Sequence, residues 1–177
     1  MSTIIIRRER VGDEDGIRAV HAAAFARPDD PGSEPVEAKL VDDLRETAEW
    51  LPDLSQVALV DDAIVGHVVC TRGWLGTERA PVLGLGPIGV LLERQGRGIG
   101  EALMHTVLGA ADALDEPLVA LLGDPGFYRR FGFVDARELG IDAPDPAWGE
   151  HFQVRPLSSY APGLAGRFEY AAPFNDI

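Results

Sequence analysis

The residues best placed to do chemistry lie in one short run, Gln95-Gly96-Arg97-Gly98-Ile99-Gly100. It follows an apolar stretch, Pro81 to Leu92, and opens a segment from Gly98 to about Ala113. In that segment Ile99, Leu103, Val107 and Ala111 recur at helical spacing. Glycines at 96, 98 and 100 leave the backbone N–H groups of the turn uncovered, and the helix that starts there adds the positive end of its dipole. Arg94 and Arg97 can add charge-assisted hydrogen bonds. This chemistry is anion binding, and a pyrophosphate suits it best. The glycine spacing is not that of a dinucleotide-binding turn, because the third glycine of G-x-G-x-x-G would fall on Glu101. A Walker A loop is excluded as well, since the only lysine is Lys39.

A second block, Gly123-Asp124-Pro125-Gly126-Phe127-Tyr128-Arg129-Arg130-Phe131-Gly132-Phe133, sits one helix and one strand further on. Its tyrosine is a phenol with an ordinary pKa of about 10, protonated at neutral pH and able to donate a proton. Phe127, Tyr128, Phe131 and Phe133 can equally form an aromatic cluster.

Gln95-x-x-Gly98-x-Gly100 after a strand resembles the acetyl-CoA pyrophosphate signature, Q/R-x-x-G-x-G/A, of the GNAT superfamily of N-acetyltransferases. The Gly123–Phe133 block is similar to the segment after that family's fifth strand, where a short helix carries a tyrosine. The resemblance implies a mixed α/β fold with a mostly antiparallel central sheet, helices on both faces, and fourth and fifth strands that splay apart. It implies acetyl-CoA as cosubstrate, held by Gln95, Gly96, Arg97, Gly98, Ile99, Gly100 and Glu101. The free backbone of Ile88, Gly89 and Val90 would pair with the pantetheine arm, and the same strand edge would donate to the thioester carbonyl. Tyr128 matches the family's tyrosine and is the expected acid for the departing thiolate. Many members carry a glutamate on the fourth strand, whereas Pro81–Leu92 ends its acid-free run before Glu93. Asp124, Glu34, Glu37 and His67 are candidates for the base, beside an ordered water.

The elements needed to position these residues are legible as changes of period. Thr3–Arg8 reads as a strand, and Asp13 as the N-cap of a helix reaching Phe25 with Ile17, Val20, His21 and Ala24 on one face. A proline-rich loop, 27–35, leads to a second helix from about Val36 to Thr47. Val57–Val60 and Ile64–Thr71 read as a hairpin turning at Asp61-Asp62. Pro81–Leu92 and Leu118–Leu122 read as parallel strands joined by the helix between them, with the Gly-Pro-Ile-Gly interior of the first predicting a bulge or a splay. Residues 136–151 read as loop, and Phe152–Leu157 with Arg167–Ala171 as a closing strand pair.

Composition sets the frame. A chain of 177 residues, 46% apolar, suits one domain spanning 1–177. The net charge of −13 argues against nucleic acid and anionic membranes as partners. It suits a cationic amine as acceptor; it also suits an acidic, arginine-biased surface that merely keeps the chain in solution. Met1–Arg10 lacks the apolar stretch of a signal peptide, no run of 18 apolar residues exists, and the single Cys70 cannot pair, so the expected location is cytoplasmic. The histidines at 21, 67, 105 and 151 show no metal-ligand spacing, and no metal is expected. The functional expectation is transfer of an acetyl group to a primary amine of a small molecule or peptide by direct attack. A non-catalytic CoA-binding sensor or assembly module is the alternative, with O-acylation or a longer acyl group further off. A homodimer is compatible with the chain.

Overall fold

A computed structural model describes residues 2–177. Strand β1 (Ile4–Arg8) pairs antiparallel with β2 (Ser55–Val60), and β2 with β3 (Ala63–Leu75). The β2–β3 turn is Asp61-Asp62, both at positive φ (50° and 63°), the twist that suits a two-residue hairpin. Helices α1 (Glu14–Ala24) and α2 (Val36–Arg45) lie between β1 and β2 in the chain. Asp13 stands at the N-cap position of α1 but does not cap it. Its backbone is already helical, and its carboxylate takes the Arg7 guanidinium at 2.6 and 3.0 Å and the Arg10 N–H at 2.7 Å. An arginine fork close at hand outcompetes the helix N–H groups.

Strand β4 (Ala80–Val90) pairs antiparallel with β3 and is followed by α3 (Ile99–Ala113) and β5 (Leu118–Leu122). Helix α3 buries Ile99, Leu103, Met104, Val107, Leu108 and Ala111 against Ala58, Val68, Leu83 and Leu121. It can lie close because β3 carries Gly66, where a Cβ would meet Leu103 at 3.0 Å. Helices α1 and α2 cover other parts of the molecule, with Leu40, Leu44 and Ala171 in one cluster and Ile17, Val41 and Val57 in another.

β4 and β5 are parallel, and their pairing is brief: Leu83↔Val119 and Gly84↔Ala120 only. Beyond Gly84, β4 keeps β3 as its partner through Val90 and has no strand on its other edge, while β5 runs on to Leu122. The expected splay is therefore present, and the register of β4 against β3 shifts between Val68 and Cys70, where the glycines and Pro87 interrupt the pattern.

The expected closing strand pair is not formed. β8 (Phe152–Pro156) pairs antiparallel with β5 over its whole length and with β6 (Val134–Asp135), because the divergence of β4 leaves the other edge of β5 as that strand's main partner surface. β9 (Gly166–Glu169) pairs with the far end of β3, at Trp74 and Leu75, beyond the reach of β2. Residues 136–151 are not plain loop: Asp135 and Asp145 accept from Arg137 N–H and Ala147 N–H to start helical turns, and β7 (Ile141–Asp142) runs parallel to β9. Short polar turns hid a two-residue strand that only its β9 partner defines. α4 (Pro125–Tyr128) starts on Asp124, whose carboxylate accepts from Gly126 N–H at 2.9 Å.

Candidate active site

The turn before α3 has the shape its glycines demand. Gly96 (φ 71°) and Gly98 (φ 81°) are left-handed, and nothing lies within 4 Å of where a Cβ would stand at either. Gly98 occupies the N-cap, so the first N–H groups of α3 carry no capping side chain. The Gln95 side-chain amide donates to the Val90 carbonyl at 3.1 Å and ties the loop to the end of β4. A groove of about 500 Å³ runs here, lined by Ile88, Gly89, Val90, Gln95, Gly96, Gly98, Ile99, Gly100 and Glu101. Arg94 and Arg130 line it too, the latter stacked over Phe127 at 5.0 Å. Arg97 is exposed outside that lining, and Arg130 is a cation that the glycine motif could not reveal.

The groove shares Ile88 and Phe25 with a larger cavity of about 1380 Å³ at the opening between β4 and β5. Two tyrosines stand there. The Tyr128 ring lies where a Cβ on Gly123 would be, at 2.3 Å, just beyond the end of β5. It packs on Phe127 and Phe133, and its hydroxyl has no hydrogen bond among the described residues. Burial, and then the Asp124 carboxylate, push its pKa up. Tyr170 covers Gly84 on β4, 2.8 Å from the place of a Cβ, so the strand's last residue paired to β5 is roofed by a second phenol. Burial and the neighbouring Tyr128 raise its pKa as well. Tyr128 is thus not the only tyrosine at the site. Tyr170 lies more than 40 residues along the chain and arrives through the β9–β3 pairing, which sequence spacing does not announce.

The profile of the family described as "Acetyltransferase (GNAT) domain" matches residues 6–135. The chain belongs to the GNAT acetyltransferases. It is 31% identical over 174 residues to the uncharacterised N-acetyltransferase YhbS of Escherichia coli K12, covering 97% of this chain and 99% of that one. The crystal structure of E. coli YhbS in complex with CoA superimposes with a TM-score of 0.88, at 31% identity, covering 99% of this chain and 93% of that one. A GNAT acetyltransferase from Brucella melitensis in complex with acetyl-CoA gives 0.77, at 33% identity, covering 97% and 98%.

β4 carries no acid. The other candidates sort themselves by position. Asp124 is spent as the cap of α4. Glu34 is held by the Arg18 guanidinium through two contacts of 2.7 Å, outside the cavity lining. Glu37 lines the cavity and makes no ion pair among the described residues. His67 is fully buried, bonded at 2.8 Å to His21 Nε2 and at 2.8 Å to Ser55 Oγ. The acids that line the cavity are Glu37, Asp145 and Glu169, and Arg27 and Arg167 line it as well. Among the described residues no cluster of three or more His, Cys, Asp or Glu is arranged to hold a metal, and no helix is long and apolar enough to cross a membrane.

The histidine pair makes the fold acid-sensitive. Burial lowers the His21 pKa from 6.5 to about 4; burial, then His21 and Arg45, hold that of His67 well below its ordinary value. In the unfolded chain both regain ordinary values, so below pH 6.5 the unfolded state takes up protons that the folded state refuses, and stability falls with pH. His21 alone should cost about 2 kcal/mol on going from pH 7 to pH 5. Urea unfolding at the two pH values checks this; equal stabilities would mean the histidines are not held neutral.

Proposed function

We propose that this GNAT domain, residues 1–177, transfers the acetyl group of acetyl-CoA to a primary amine by direct attack. The observation that carries the reading is a continuous path: a side-chain-free turn at Gly96 and Gly98, the unpaired edge of β4 at Ile88–Val90, and the Tyr128 phenol at the opening beside β5. The turn and the first N–H groups of α3 would hold the pyrophosphate, with Arg94 and Arg130 as flanking cations and Arg97 further out. The free β4 edge would hold the pantetheine arm in strand fashion and offer an N–H to the thioester oxygen as charge builds there. Tyr128 would give its proton to the departing sulfur.

The acceptor end of the cavity is walled by Phe25, Trp148, Tyr170 and Phe174, with Glu37 as a carboxylate free of any ion pair among the described residues. These walls suit an amine with an apolar body, its nitrogen drawn by Glu37, more than a chain of repeated cations. The test is release of free thiol from acetyl-CoA over a panel of arylalkylamines, polyamines and peptide N-termini. Tight acetyl-CoA binding with no turnover on any of them would make the protein a CoA-binding module.

The cationic flank makes a separate prediction. Acetyl-CoA affinity should weaken as salt is raised from low to physiological ionic strength, and Arg130→Glu should weaken it more than Arg97→Glu, because only Arg130 lines the groove. Calorimetric titration decides; an affinity indifferent to salt would remove the phosphates from this turn.

A further inference from the structure

Behind β4 a chain of hydrogen bonds runs through the interior. His21 Nε2 lies 2.8 Å from His67 Nδ1, and His67 Nε2 lies 2.8 Å from Ser55 Oγ. The Ser55 hydroxyl donates to the Glu9 carboxylate, which accepts at its other oxygen from Arg45 Nε at 2.8 Å. His21, Ser55 and His67 are each 0% exposed. The direction of this chain is forced. A carboxylate only accepts, so Ser55 spends its proton on Glu9. The Ser55 oxygen then accepts from His67, which must carry its proton on Nε2. A neutral His67 therefore has a bare Nδ1, and His21 must donate to it from Nε2. A neutral His21 is left with a bare Nδ1. That atom is buried and has no hydrogen-bond partner among the described residues.

Its position is not neutral either. His21 Nδ1 lies 3.0 Å from where a Cβ on Gly89 would stand, with the Ala24 methyl at 3.2 Å from the same point. Gly89, Ala24 and Phe25 line the cofactor groove, and Phe25 stacks on the His21 ring at 5.9 Å. The lone pair thus sits directly beneath the floor of the groove, against the backbone of Gly89, where no side chain stands between them.

We propose that His21 is the proton acceptor of this site, working through His67 and Ser55 to deliver the proton of the attacking amine to Glu9. The proposal rests on the acetyl-transfer reading above. The nitrogen's proton, carried by a water over Gly89, bonds to His21 Nδ1. His21 Nε2–H passes to His67 Nδ1, His67 Nε2–H to Ser55 Oγ, and the Ser55 hydroxyl proton to Glu9, whose carboxylate becomes a carboxylic acid. Each imidazole gains one proton and loses one, so no buried imidazolium is formed. This is how a histidine too buried to hold a charge can still serve as a base. It also gives a chain without an acid on β4 a route for the proton.

Long-range ¹H–¹⁵N spectra of the labelled protein at pH 7 test the static part: both His21 and His67 should be neutral with the proton on Nε2. An Nδ1–H tautomer or an imidazolium at His21 would overturn the proposal. The kinetic part uses Glu9→Gln and Ser55→Ala, with the amine that the wild type accepts best, or with water as acceptor. In Glu9→Gln the amide oxygen can still accept from Ser55, but the sink for the proton is gone. Both variants should keep acetyl-CoA affinity within about twofold and lose roughly 10²-fold in kcat. Glu9→Asp should recover part of that loss. A proton inventory in mixed H₂O and D₂O should curve for the wild type and straighten in Ser55→Ala, which a purely structural network would not produce. If Tyr128→Phe is slow while Glu9→Gln turns over fully, the relay fails and the acetyl-transfer reading stands. If the wild type binds acetyl-CoA yet consumes none, that reading fails and takes the relay with it.

Discussion

Gly98→Val should abolish acetyl-CoA binding, with a loss of roughly 100-fold or more in affinity, equivalent to about 2.7 kcal/mol. Two effects act together. Gly98 holds φ at 81°, where a β-branched residue is strained, and its branches would occupy the space over the first N–H groups of α3. No neighbour lies within 4 Å of the added Cβ, so the damage stays in the turn, and circular dichroism should show the fold retained. Gly100→Ala is the control that carries neither effect. Gly100 is not left-handed, and its Cβ would meet only Val90 at 3.9 Å, so that variant should bind nearly as the wild type does. A folded Gly98→Val protein with unchanged calorimetric affinity would remove the pyrophosphate from this turn.

The contrast between Gly98 and Tyr170 says what a sequence of this kind makes legible. The turn is local: a strand, three glycines and a helix are adjacent in the chain, so spacing alone specifies the geometry, and the left-handed angles at 96 and 98 follow the glycines. The splay of β4 from β5 is foreshadowed by Gly-Pro-Ile-Gly as a bulge or a splay and implied by family likeness, and its physical mark, two paired residues followed by a free edge, needed coordinates. Tyr170 and Phe174 reach the cavity through β9, whose partner is the far end of a 13-residue strand that looked shorter in the sequence, and Trp148 reaches it from the turn before β8. Long-range pairing of that kind leaves no periodicity to read. The His21–His67 contact joins a helix to a strand 46 residues away, and each histidine by itself sits on an apolar face like any core residue. Arg130 was visible as a charge, but its place at the groove depends on Phe127, over which it stacks.

Tyr128→Phe should lower kcat by roughly 10²-fold and leave KM for acetyl-CoA little changed. The substitution is clean because the hydroxyl makes no hydrogen bond among the described residues, so its removal orphans no partner. The ring keeps its contacts with Phe127 and Phe133 and its seat over Gly123. Any loss therefore belongs to the reaction. Burial and Asp124 hold the phenol above its ordinary pKa, which keeps the proton in place but makes it harder to give. A thiolate expelled beside the same apolar surroundings would gain basicity for the same reason, so donor and acceptor would shift together. The sign of the pH dependence follows. An acid that must be protonated loses activity as pH rises through its pKa, and here burial and Asp124 push that value up from the ordinary one, so any decline of the wild-type kcat assignable to Tyr128 should be displaced to higher pH than an ordinary phenol would give. Steady-state kinetics with a working amine acceptor, from pH 7 to 10, measure both effects. Near-full turnover in Tyr128→Phe would return this residue to the aromatic packing around Phe127 and make Tyr170, the other phenol at the mouth of the splayed strands, the next donor to replace by phenylalanine.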